Sequence, residues 1–262
     1  IQSVEKLIIG LESFYDVLTS IEKIGQVVDK ELESQDGDKP VFKNGLIVEL
    51  DNVSYTVSNR EKAIIKDVSL KLNPTSRILI IGESGSGKSS LWRLISGVIE
   101  PTAGNIYVNN LSLNSLHLNH YRSQLGLSLS DETPFEGTLR DNLIFGDNKV
   151  SEDIIYEALN KVGLEQFLKE LPNGLDTILH PEGKQMSYTV SKKIILARAI
   201  AKQPKLLILE EPLEHFEIKE SERLIKYLTD PKKPWALIVV SFNPHWEINC
   251  TNTITLKNGQ IV

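Results

Sequence analysis

"RILIIGESGSGKSSLWRLISG", residues 77–97, decides the fold. It opens as a short apolar strand, passes through a Gly/Ser loop and continues as the helical stretch "KSSLWRLISG". Residues 82–90, "GESGSGKSS", fit G-x-x-x-x-G-K-[ST] with Gly82, Gly87, Lys88 and Ser89. The spacing suits a polyphosphate wrapped by backbone N–H groups. Glycines let the main chain turn left-handed and come close to the oxygens. The helix that follows presents its positive end to them. Lys88 is expected to reach the β- and γ-phosphates, and the Ser89 hydroxyl to ligate Mg²⁺. Glu83, Ser84, Gly85, Ser86 and Ser90 complete the expected cradle. A merely flexible Gly/Ser loop would not need a strand before it and a helix after it.

A phosphate loop needs acids at the tip of a neighbouring strand. "LLILEEPLEHFE", residues 206–217, supplies them: an apolar run that ends on Glu210 and Glu211 and is followed by a proline. Glu210 is expected to hold the metal and Glu211 to polarise the attacking water. Adjacent residues on a strand point to opposite sides, so the two acids can divide these tasks. Taken alone, the pair would read as a strand ending at the surface.

Around these stretches, short apolar strands alternate with helical patterns. "NIYVNN", "LGLSLS", "LLILE" and "ALIVVS" read as strands, residues 138–202 as mostly helical, and Asn258-Gly259 as a closing hairpin. Continuous apolar strands between helices predict a parallel sheet covered on both faces. "LIVELDNVSYTV" and "DVSLKLN" predict an added antiparallel layer. Residues 1–33 carry Val4, Leu7, Ile8, Leu11, Phe14, Tyr15, Leu18, Ile21 and Val28 at helical spacing. This is either a core-facing helix or a docking helix for a partner. "ESQDGDKP", 33–40, reads as a linker.

The 262 residues suffice for one large domain, or one domain with an appendage. The formal charge of −6, with both signs interspersed, argues against a nucleic-acid surface. One cysteine, Cys250, excludes an internal disulfide and fits a reducing compartment. No run approaches a membrane-spanning length of apolar residues. Without an initiator Met, the chain reads as a piece of something longer.

With these stretches in order, the chain resembles the nucleotide-binding domain of ATP-binding cassette (ABC) transporters of the exporter type. "KDVSLKLNPTSRILIIGESGSGKSSLWRLISGVIEPTAGNIYVNN", "FEGTLRDNLIFG", "LPNGLDT" and "ILARAIAKQPKLLILEEP" carry the resemblance, which covers nearly the whole chain. It implies an α/β fold: a P-loop NTPase with a RecA-like core, an antiparallel β subdomain and a helical subdomain at about 132–202. It implies that residues 1–36 lead from a transmembrane domain and that 37–262 form the ATP-binding domain. The implied cofactors are ATP and Mg²⁺. The implied partners are a transmembrane domain and a second ATP-binding domain, in a homo- or heterodimer at the cytoplasmic face of a membrane, the inner membrane if bacterial.

The chain also departs from the family pattern. Glu210 stands where members place Asp, and Ser130 where a Mg²⁺-sensing glutamine stands. Met186, Ser187, Tyr188, Thr189 and Val190 replace the signature Leu-Ser-Gly-Gly-Gln, and only the serine is kept. Phe242 replaces the switch histidine, with His245 three residues on. Val57 takes the place of the adenine-stacking aromatic, with Tyr55 two residues away. Glu217 takes the place of the dimer-contacting Asp. The resemblance thus implies a degenerate exporter ATPase of slow turnover with Glu211 as its catalytic residue. Its alternatives are a fully active homodimeric ATPase and a non-hydrolysing regulatory or assembly module.

Overall fold

A computed structural model describes residues 2–29, 33–34, 36–57, 62–147, 149–180 and 186–262, without the side chains of 2–9 and 27. The chain forms two compact units, residues 1–35 and 36–262. Among its described residues the first holds one helix, α1 (Gln2–Val28). Leu11, Phe14, Tyr15, Leu18, Ile21 and Val28 are exposed along it. The side chains of Val4, Leu7 and Ile8 lie outside the described residues. Among the described residues no helix is long and apolar enough to cross a membrane.

The second unit begins with β1 (Val48–Tyr55), β2 (Ile65–Leu72), β3 (Arg77–Ile81) and α2 (Lys88–Ile95). Then come β4 (Ala103–Val108), β5 (Leu111–Ser112), α3 (Leu118–Arg122) and β6 (Leu125–Ser128). The helical part holds β7 (Gly137–Thr138), α4 (Leu139–Ile144), α5 (Glu152–Lys161), α6 (Glu165–Glu170), β8 (Ile178–Leu179) and α7 (Tyr188–Ala201). The chain closes with β9 (Leu206–Glu210), α8 (Ile218–Thr229), β10 (Ala236–Val240), α9 (His245–Asn249), β11 (Asn252–Lys257) and β12 (Gln260–Ile261).

Both expected sheets are there. The antiparallel one runs β2-β1-β4-β5, with Val48 opposite Leu72 on one side and Val108 on the other. The other runs β12-β11-β3-β10-β9-β6; β11, β3, β10, β9 and β6 are parallel, and β12 closes the edge antiparallel. Its apolar runs are continuous because each strand feeds two cores. Ile78, Ile80, Leu206, Ile208 and Ile238 pack with the antiparallel layer and α2. Leu79, Leu207, Leu209, Leu237 and Val239 pack with α4, α5, α7 and α8. The fold is the mixed α/β, RecA-like core with β and helical subdomains that the resemblance implied.

Local chemistry ends the elements. α2 stops at Ile95, two residues before the end of its helical pattern, and Gly97 takes φ +68°, as a helix C-terminus favours. Buried Tyr121 of α3 donates its hydroxyl to the Ile95 carbonyl at 2.7 Å, so the end of α2 is satisfied inside the core. A capping box starts α4: Thr138 and Asp141 exchange backbone and side-chain bonds at 3.0 Å.

β3 and β9 are buried over four residues and emerge only at their fifth, Ile81 and Glu210. The adjacent carboxyl ends of these parallel strands carry the site, as in open α/β sheets generally.

Candidate functional site

Residues 82–87 leave β3 and turn straight into α2. Two glycines make the turn possible. Gly82 has φ +154°, and a β-carbon there would sit 2.3 Å from the Leu256 carbonyl oxygen. Gly87, the N-cap of α2, has φ +106°, and its β-carbon would meet Ile65 at 2.9 Å and the Ile64 carbonyl at 3.0 Å. A side chain at Gly82 would force the backbone to move, and at Gly87 the left-handed φ strains any other residue.

Lys88, first in α2, folds back over the loop. Its ammonium donates to the carbonyls of Gly82 (2.7 Å) and Glu83 (2.9 Å). The same ammonium lies over the Phe242 ring, 5.3 Å from Nζ to ring centre. Beside it, Ser89 donates to Glu210 Oε1 at 2.6 Å, and Ser130, past the end of β6, donates to Glu210 Oε2 at 3.2 Å. Two hydroxyls from distant parts of the chain thus converge on one carboxylate. Lys88, Ser89, Ser130, Glu210, Glu211 and Phe242 line a common cavity of about 340 Å³.

The two acids separate for a reason the strand rule did not supply. Glu210 ends β9, but Glu211 has already left it, with φ +42°. Its N–H still donates to the Val240 carbonyl (2.9 Å), which pins this left-handed residue against β10. Ser241 donates to Glu211 Oε2 at 2.8 Å and the Phe242 N–H to Oε1 at 3.1 Å. Burial holds the Glu211 carboxyl above the ordinary carboxylate range. The two hydrogen bonds oppose that shift, while Glu214 and Glu210 add to it. A carboxylate raised in this way is a better proton acceptor near neutral pH.

Ser89, Ser130 and Glu210 offer only oxygen, the donor type that Mg²⁺ prefers. Among the described residues no group of three or more His, Cys, Asp or Glu is arranged to hold a metal ion. A metal here would therefore complete its shell with water and oxygens of a bound phosphate.

Other expected residues lie elsewhere. Tyr55 ends β1 and packs against the first core; exposed Val57 follows it; neither lines the cavity. Residues 186–190 lead into the first turn of α7, which begins at Tyr188, and are also off the cavity. Met186 and Val190 pack on the second core, and Ser187 caps the helix by accepting from the Val190 N–H. Thr189 projects a side chain in the first turn. Tyr188 donates its hydroxyl to Glu214 Oε2 at 3.1 Å and meets the His215 ring edge-on. His245 starts α9 with Nδ1 3.8 Å from a Glu222 carboxylate oxygen, away from the phosphate loop. Glu217 is the N-cap of α8. Ser241 and Glu214 were not expected; a serine beside the switch position and an acid three residues after Glu211 were their only sequence signals.

Comparison with known proteins agrees with this geometry. The family model described as ABC transporter matches residues 65–214. The chain is 30% identical over 259 residues to ABC transporter B family member 15 of Arabidopsis thaliana, covering 97% of this chain and 21% of that protein. It is 30% identical over 242 residues to the ATP-dependent permease MDL1 of Candida albicans, covering 89% of this chain and 35% of that protein. This chain therefore spans well under half the length of these relatives. A bacterial Atm1-family ABC exporter with ATP bound superposes with a TM-score of 0.83 at 21% identity, over 94% of this chain and 43% of that one.

Proposed function

Because the chain belongs to the ABC transporter family, as an ATP-binding domain of exporter type, we propose that it holds Mg-ATP in the cradle of residues 82–90 and hydrolyses it slowly. The observation that carries this reading is the convergence of Ser89 and Ser130 on the two oxygens of Glu210, beside Lys88. Backbone N–H groups of the loop and the start of α2 would hold the phosphates. Lys88 would exchange its two loop carbonyls for phosphate oxygens. Ser89, Glu210 and Ser130 would hold Mg²⁺, which when bound neutralises charge on the β- and γ-phosphates. Glu211, braced by Ser241 and the Phe242 N–H, would take the proton of a water that attacks the γ-phosphorus while the bond from that phosphorus to the β,γ-bridging oxygen breaks and ADP leaves.

Slow turnover follows from what is missing beside that base. Phe242 puts a ring, with no side-chain donor, where a hydrogen bond to the γ-phosphate is needed. Removal of one such donor costs about 10²–10³ in rate. At α7, Tyr188 and Thr189 carry side chains where glycines would let a backbone approach a partner's nucleotide. Tyr188 is engaged with Glu214 of its own chain, and that carboxylate would repel a phosphate. These features favour a heterodimer in which an intact signature from the partner covers this chain's ATP.

In the whole protein, ATP-driven closure of two such domains would move a transmembrane domain and carry a substrate across the membrane, with this domain on the cytoplasmic face. A cavity of about 180 Å³ suits the contact with the membrane part. Val98, Leu143 and Phe145 line it with apolar surface, and Arg122, Glu132, Asp147 and Arg198 add charged groups to the lining. The reading is tested by a Mg-ATP isotherm beside steady-state turnover. It expects saturable binding, with turnover well below the ~10 s⁻¹ of a typical enzyme. Turnover at or above that rate, unaffected by Glu211→Gln, would contradict it.

A further inference from the structure

Lys192 lies in the second turn of α7, and only 2% of it is exposed. An ammonium is rarely buried unless its donors are used. Here all three are spent on one loop. Nζ donates to the carbonyls of Leu129, Ser130 and Glu132 at 2.5 to 3.2 Å. The Tyr188 ring covers the same ammonium, 5.4 Å from Nζ to its centre. The loop is also closed on itself: the Leu129 N–H donates to Glu132 Oε2 at 3.0 Å, and the Glu132 N–H to the Leu129 carbonyl at 3.3 Å. Three carbonyls turned toward one point make a small cation site, and the chain's own lysine fills it.

The consequence lies one bond further on. Ser130, whose carbonyl Lys192 grips, is the residue whose hydroxyl reaches Glu210 Oε2. A serine side chain is short. Its hydroxyl meets Glu210 only while the backbone of residues 129–132 is held where it is. A connected path therefore runs from Tyr188 at the start of α7 through Lys192, the Ser130 backbone and hydroxyl, and Glu210 to Ser89.

We infer that Lys192 is a positioning residue for the metal side of the nucleotide site: by clamping the 129–132 loop it aims Ser130 at the Glu210 carboxylate. The inference rests on the proposed Mg-ATP binding. It adds the residue that sets how much the metal contributes. Burial pulls the Lys192 ammonium below its ordinary value, and Glu132, Glu214, Asp131 and Glu210 oppose that shift.

The test compares ATP affinity in Mg²⁺ with ATP affinity in EDTA, for the unmodified chain, Lys192→Met, Lys192→Arg and Ser130→Ala. Lys192→Met should lower the Mg²⁺-to-EDTA affinity ratio about three- to tenfold, the worth of one aimed hydrogen bond, and leave the EDTA affinity within about twofold. Lys192→Arg should recover most of the ratio. Amide exchange across 129–132 should quicken in Lys192→Met. Faster exchange with an unchanged ratio would mean a purely structural clamp and would overturn the inference. If Lys192→Met does not fold, Ser130→Ala decides: it should reproduce the loss, and an unchanged ratio leaves Lys192 nothing to aim. Absence of ATP binding by the unmodified chain would overturn the proposed function itself. An unchanged ratio in a chain that binds ATP overturns only the role of Lys192.

Discussion

Phe242→Leu should make the domain bind ATP more tightly. The Lys88 ammonium is held by the Gly82 and Glu83 carbonyls and lies over the Phe242 ring. A bound phosphate is expected to draw the ammonium off the ring. Phe242 is 68% exposed, so its cation–π contact is worth the figure for an exposed site, about 0.5–1 kcal/mol. Leucine keeps apolar bulk and removes the π face, and the Phe242 N–H bond to Glu211 is made by the backbone and survives. At ~1.4 kcal/mol per factor of ten, the release corresponds to about two- to fivefold tighter binding. Titration calorimetry with Mg-ATP and Mg-ADP measures it. Unchanged or weaker ATP binding by Phe242→Leu would refute the reasoning, since the ring would then not compete for Lys88.

Two further substitutions test the frame and the base. Tyr121→Phe leaves the buried Ile95 carbonyl without its donor, at a cost of about 1–2 kcal/mol, and should lower the melting temperature by roughly 2–6 °C; an unchanged melt would contradict the buried bond. Glu211 is held above the ordinary carboxylate range, so the folded chain binds its proton more tightly than the unfolded chain. The stability this gives is full below the unfolded value and is lost as pH rises through the folded one. Glu211→Gln should therefore melt above the unmodified chain at neutral pH, with the gap closing on acidification; a gap that does not change with pH would count against the shift.

What was legible in the sequence was local. The phosphate loop, the strand before it and the helix after it are set by residues within twenty positions of one another, and glycines with no room for a β-carbon mark it. The two-faced parallel sheet was legible because a strand-length apolar run without alternation must bury both of its faces. The parting of Glu210 and Glu211 was not. It depends on a left-handed residue held by β10, thirty residues further on, and no pattern around Glu211 records that bond. Ser241 was hidden for the same reason, since its partner is distant in sequence. Lys192 left a faint trace: a lysine on a helix whose following turns, "IILARAIA", are almost wholly buried. Its target, three carbonyls of a loop some sixty residues earlier, has no side-chain signature at all.

The most direct measurement is ATP affinity in Mg²⁺ for the unmodified chain and for Lys88→Ala. Lys88 stands at the mouth of the cradle with an ammonium free to exchange carbonyl for phosphate partners. A charge-assisted contact of this kind is worth about 1.5–3 kcal/mol, so the substitution should weaken ATP at least about tenfold. Saturable binding by the unmodified chain and that loss in Lys88→Ala is the predicted result. No binding at millimolar ATP, or equal binding by both chains, would contradict the claim that residues 82–90 hold the nucleotide.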